Sequence, residues 1–104
     1  MSEWTNVGNE CDIPEEGTYP VNLGDQPVCL YKLDGQIYAT HDICTHGAAN
    51  LSEGFVIEGQ IECPFHQGLF DIKTGKATAA PCTIDLKTYA VKMEEGGVIW
   101  IKEA

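Results

Sequence analysis

Two short cysteine–histidine pairs constrain this chain more than any other feature. They are Cys44-Thr45-His46-Gly47 and Cys63-Pro64-Phe65-His66-Gln67-Gly68, with sixteen residues between His46 and Cys63. Each pair places one thiolate and one imidazole on a short, glycine-containing loop. Two such loops can enclose a binuclear iron–sulfur cluster, with both cysteines on one iron and both histidines on the other. Cys44, His46, Cys63 and His66 are therefore the candidate metal-ligating and cofactor-binding residues, and no catalytic residue is expected. Gly47 and Gly68 fall where the backbone would wrap close to inorganic sulfide. Inward-pointing N–H groups of tight loops stabilise charge on sulfur, and Pro64 stiffens the second loop between its two ligands.

The donor set has a redox consequence. Replacing two thiolates by neutral imidazoles removes two negative charges, so accepting an electron becomes easier. Potentials of such centres run from about −150 to +300 mV, against about −400 mV for plant-type all-cysteine clusters. Zinc also accepts two cysteines and two histidines. Finger-type zinc sites, however, usually pair Cys with Cys and His with His at wider spacings. A zinc-binding structural protein stays open as the lesser alternative. A Cys–His nucleophile would need only one copy, with an oxyanion hole beside it. His41 ends a strand and is expected at the surface or in a supporting role. Cys82, after Pro81, belongs either to a third loop over the cluster or to a plain turn.

The 104 residues are expected to form one domain, 1–104, with a cluster-binding subdomain at roughly 42–82. Sixteen acidic residues against six lysines, with no arginine, give a net charge of −10. Such a surface excludes nucleic acid as a partner, because phosphate binding needs clustered cations. The acidity serves either solubility or the steering of basic partner proteins. Five cysteines rule out a fully paired disulfide framework. Cys29, in an apolar run, reads as a buried small hydrophobe and Cys11 as a free thiol. Thiols beside a thiolate-ligated metal fit a reducing cytoplasm. No stretch is long or apolar enough for a membrane span, and no export signal opens the chain. Met1, and an end just after the last strand, lead us to expect a whole carrier rather than a piece of a larger oxygenase.

The fold expected is all-β: an antiparallel sandwich with a small inserted subdomain formed by the two ligand loops. Strands are predicted over 18–23, 28–33, 36–40, 55–57, 60–62, 69–72, 88–94 and 98–102. Turns are predicted at Gly24-Asp25, Asp34-Gly35, Glu58-Gly59, Thr74-Gly75 and Gly96-Gly97. No long window keeps a helical period, so little helix is expected.

The segments CTHGAANLSEGF (44–55) and IECPFHQGLFDIKTGK (61–76), with Ala80-Pro81 and KTYAVK (87–92) downstream, resemble a known family. They look like the soluble Rieske ferredoxins of bacterial aromatic-ring-hydroxylating dioxygenases, of the naphthalene-dioxygenase type. The resemblance covers essentially the whole chain. It implies one [2Fe–2S] cluster, with Cys44 and Cys63 on the inner iron and His46 and His66 on the outer iron. It also implies a cytoplasmic one-electron carrier between an NAD(P)H-dependent flavoprotein reductase and a terminal oxygenase, not itself an enzyme. The alternative is a Rieske-like small subunit of another redox enzyme, such as nitrite reductase.

Respiratory Rieske proteins differ at four positions. Their loop disulfide cysteines correspond to Ala49 and Phe65, and the hydroxyl donors to their cluster sulfurs correspond to Gly68 and Phe70. Losing those donors removes stabilisation of the reduced state. A redox titration should therefore place this protein toward the low end of the Rieske range. Ala48, Ala49, Phe65 and Pro81 are expected to form a small apolar docking tip, rimmed by some of Asp42, Glu53, Glu58 and Glu62, although Phe65 could equally serve loop packing.

Overall fold

The computed structural model describes residues 3–45, 49–64, 68–80 and 84–103. Ten strands run through them: β1 Thr5–Asn9, β2 Thr18–Leu23, β3 Gln26–Leu33, β4 Gln36–His41, β5 Phe55–Ile57, β6 Gln60–Glu62, β7 Leu69–Asp71, β8 Ala77–Ala79, β9 Tyr89–Glu94 and β10 Val98–Glu103. The helices among the described residues are two single 3-10 turns, Glu10–Asp12 and Leu51–Glu53. The strands form three sheets, ordered β1-β10-β9, β2-β3-β4 and β5-β6-β7-β8. Every pairing within them is antiparallel.

β3 explains how the sheets stack. Val28 and Leu30 point into one core with Ile13, Ile37, Ala39, Tyr89, Ile99 and Ile101, so the two three-stranded sheets share that interior. Cys29, Tyr31 and Leu33 point the other way, into a second core with Leu51, Ile61, Phe70 and Ile72. A strand covered on both faces reads as an unbroken apolar run rather than an alternating one, which is what Val28-Cys29-Leu30-Tyr31 is. β4 and β9 close the seam between the three-stranded sheets through the Thr40–Thr88 bridge and a 2.8 Å bond from the His41 N–H to the Lys87 carbonyl.

The four-stranded sheet is inserted in sequence between β4 and β9. Tight turns set its register and that of the β3–β4 hairpin. Asp34 and Gly35 have φ of 52° and 75°, and Glu58 and Gly59 have φ of 49° and 79°. Both central residues being left-handed is the type I′ turn, whose twist matches the flanking strands. Two strands escaped the sequence reading, β1 and β8. β1 is polar and broken by an irregularity between Asn6 and Gly8, and β8 is three residues long.

Candidate metal centre

Each candidate cysteine stands at the neck of a hairpin loop, and the two necks are built alike. In the first, the Cys44 N–H donates to the Ala49 carbonyl at 2.9 Å, Ile43 bridges Asn50, and the Leu51 N–H donates to the Asp42 carbonyl at 2.6 Å. In the second, Glu62 pairs with Leu69 and the Cys63 N–H donates to the Gly68 carbonyl at 2.8 Å. Four residues lie beyond each neck, Thr45–Ala48 and Pro64–Gln67 in the sequence. Backbone bonds thus fix both cysteines at the base of short tips, one following β4 and the other following β6.

The two cysteines share one buried environment. Cys44 is 3% exposed and Cys63 2%, within the core that also holds Tyr31, Leu51, Ile61, Phe70, Ile72 and Leu86. Apolar walls of this kind exclude water and lower the local dielectric, which tunes both ligand charge and redox potential. The walls are close-fitting: a Cβ on Gly54 would collide with the carbonyl of Glu62, the residue before Cys63. Glycine at 54 thus lets the turn after loop one pack directly on the entry to loop two.

The structure separates Cys29 from the candidate pair, Cys44 and Cys63. Burial pushes its thiol up to about 12, and its Sγ lies 3.6 Å from the Leu30 carbonyl. A thiol held protonated does not supply a thiolate ligand. Cys29 is a core residue, as the apolar run suggested, and Cys11 is exposed. His41 turns toward the seam, its Nδ1 3.5 Å from the Tyr89 hydroxyl, which itself bonds Gln26 Oε1 at 2.8 Å. The candidate ligands His46 and His66 lie outside the described residues, as do Gly47, Ala48, Phe65, Pro81 and Cys82.

Three members of the expected docking tip and its acidic rim are elsewhere. Asp42 is 2% exposed, drawn inward because the donors of Asn50 and Ser52 converge on its carboxylate. Ala49 is buried in the core that holds both cysteines, and its carbonyl closes the neck of loop one. Glu58 sits in the β5–β6 turn, at the opposite end of that hairpin from Cys63, where it shares a shallow depression with Glu15, Glu16, Asp34 and Lys73. Glu53 is exposed and Glu62 half-buried. Two features near the loops carried no sequence signal. The Thr45 hydroxyl donates to the Ile84 carbonyl at 2.5 Å, and Ile84 and Phe55 are exposed apolar side chains. Single exposed apolar residues have no pattern by which sequence could mark them.

The donor chemistry suits an iron–sulfur centre. Two buried cysteines stand on separate rigid necks, inside an apolar shell, in a motif that adds one imidazole per loop. Among the described residues no three His, Cys, Asp or Glu side chains converge as a metal site, so no competing site arises from them.

Comparison with known proteins agrees. The Rieske [2Fe-2S] domain family matches residues 3–90. The ferredoxin component of the naphthalene 1,2-dioxygenase/salicylate 5-hydroxylase systems of Ralstonia sp is 48% identical over 88% of both chains. The naphthalene 1,2-dioxygenase ferredoxin component of Pseudomonas aeruginosa is 46% identical, again over 88% of each. Among solved structures, a chain from the complex of reduced oxygenase and oxidized ferredoxin in carbazole 1,9a-dioxygenase superposes with a TM-score of 0.88 at 39% identity, covering 94% of this chain and 91% of that one. No described helix is long and apolar enough to cross a membrane. With its two cysteines held on matched hairpin necks, this chain belongs to the Rieske [2Fe-2S] family, among the ferredoxin components of dioxygenase systems, and its cofactor is one cluster of the Rieske type.

Proposed function

We propose that this chain is the cytoplasmic one-electron carrier of an aromatic-ring-hydroxylating dioxygenase system, taking electrons from an NAD(P)H-dependent flavoprotein reductase and delivering them to the terminal oxygenase. The observation that carries the reading is the pair of buried cysteines on matched necks, Cys44 to Ala49 and Cys63 to Gly68. In this reading residues 42–82 form the cluster-binding subdomain of a single domain. Cys44 and Cys63 hold one iron through Sγ, and His46 and His66 hold the other through ring nitrogen. A [2Fe–2S] cluster so ligated gains and loses one electron at a time. The chain does no bond-making chemistry. Leu51, Ile61, Phe70 and Ile72 keep water from the sulfur side. The net charge of −10 favours encounter with basic partner surfaces.

Two measurements test this. The dithionite-reduced protein should show the electron paramagnetic resonance spectrum of mixed histidine/cysteine ligation, with two irons per chain. Added to a reductase and terminal oxygenase of the naphthalene-dioxygenase type, it should be required for NAD(P)H-driven substrate oxidation. Purified protein with stoichiometric zinc and no acid-labile sulfide would overturn the reading. So would a carrier that the reductase reduces but that never re-oxidises against the oxygenase.

A further inference from the structure

Asp42 is the buried charge that the proposed function leaves unused. Its side chain is 2% exposed. Asn50 Nδ2 donates to Oδ2 at 3.0 Å, the Ser52 N–H to Oδ1 at 2.8 Å, and the Ser52 hydroxyl to Oδ2 at 3.1 Å. The first two are obligate donors, one to each oxygen, so both acceptor oxygens of the carboxylate are satisfied inside the protein. Among the described residues no lysine pairs with it: the ion pairs are Lys32–Glu10, Lys87–Glu103 and Lys92–Glu94. Hydrogen bonds make this anion tolerable in the interior, but they do not cancel its charge.

Its place in the chain gives that charge an address. The backbone of Asp42 is held on both sides, its N–H donating to the Pro27 carbonyl at 2.9 Å and its carbonyl accepting from Leu51 at 2.6 Å. Two residues later, Cys44 begins its loop. Asn50 and Ser52 lie on the returning limb of the same loop, so the carboxylate staples the two limbs together beneath the cysteine.

We infer that Asp42 is a positioning residue with a second effect: its fixed negative charge, buried beside the Cys44 neck, opposes electron uptake and holds the reduction potential down. Burial is the main cause that raises the Cys29 thiol, and the Asp42 charge adds to it. Cys29 belongs to the same cluster of side chains as Cys44 and Cys63. The inference rests on the reading that Cys44 holds the cluster. It identifies a cause of low potential separate from the missing hydroxyl donors at Gly68 and Phe70.

The test is the midpoint potential of the cluster-loaded protein, followed by spectroelectrochemical titration, in Asp42→Asn, Asp42→Glu and Ser52→Ala. Asp42→Asn removes the charge and keeps one acceptor for the Ser52 N–H. It should favour electron uptake about tenfold, which for one electron is a rise of about 59 mV. Asp42→Glu keeps the charge and should stay within about twofold of the parent, even where it lowers thermal stability. An unchanged potential in Asp42→Asn overturns the inference, as does an equal shift in Asp42→Glu, which would make the effect one of shape. If Asp42→Asn does not retain its cluster, Ser52→Ala decides. Losing the hydroxyl donor leaves the carboxylate's charge less compensated, so a lower potential supports the inference, and an unchanged or higher one overturns it. A parent protein without the mixed-ligand resonance signal would instead overturn the proposed function beneath the inference, and both would fall together.

Discussion

Alanine at either Cys44 or Cys63 should abolish the red-brown colour and acid-labile sulfide of the purified protein, whereas alanine at Cys29 should leave both intact. All three side chains are buried in the same core, so burial alone does not separate them. The separation comes from the loop necks and from the raised Cys29 thiol. Cys44 and Cys63 sit at necks that backbone bonds close, while Cys29 is mid-strand with its thiol pushed up to about 12. Cys29→Ala removes only a small buried sulfur, for about 1–2 kcal/mol. Loss of a ligand removes the whole linkage between cofactor and folded state, worth about 4 kcal/mol when a ligand stands a thousandfold above its Kd. In a domain of this size each kcal/mol moves Tm by roughly 4–8 °C. Calorimetry should therefore show a drop of more than about 15 °C for the ligand variants and less than about 15 °C for Cys29→Ala. Visible absorption checks the cluster directly, and equal colour in all three variants would reject the assignment.

Phe70→Ala should be the most destabilising single core change. Phe70 is wholly buried on β7, opposite Ile61 on β6, and packs in the core that holds both cysteines. Removing such a ring costs about 3–5 kcal/mol through lost burial and the cavity left behind. Against a total stability of about 5–15 kcal/mol, that is a large share. Urea titration should show a much lower midpoint at an unchanged slope. The cavity would open two residues beyond Gly68, the residue that closes the Cys63 neck, so cluster retention should fall together with stability. An unfolding free energy within about 1 kcal/mol of the parent would mean that this core is not what supports the second loop.

Much of the architecture was readable because its signals are local. Asp34-Gly35 and Glu58-Gly59 announce tight turns, and both appear with two left-handed residues. The run Val28–Tyr31 announced a strand, which the fold covers on both faces, and the short apolar segments 55–57 and 60–62 fell where β5 and β6 lie. What escaped depended on partners distant in sequence. β1 exists because β10 offers it an edge, and nothing in Thr5–Asn9 says so. The cysteines were legible as members of a motif, yet the bonds that pin them, to Ala49 and Gly68, are main-chain events that any side chain could host. Asp42 shows the opposite failure. An aspartate beside a surface loop reads as exposed, and only the fold reveals that Asn50 and Ser52, eight and ten residues later, turn it inward. The same logic displaced Glu58, whose turn closes the end of the β5–β6 hairpin opposite to Cys63.

The paired necks carry a consequence for speed. Whatever the oxidation state, the Cys44 and Cys63 main chains are tethered by bonds that do not involve the metal. With these cysteines as the proposed ligands, such anchoring would restrict how far their sulfurs swing when charge arrives or leaves. Small nuclear displacement means low reorganisation energy, and so rapid exchange even across a weak driving force. A shuttle that meets its partners only briefly has most to gain from such stiffness.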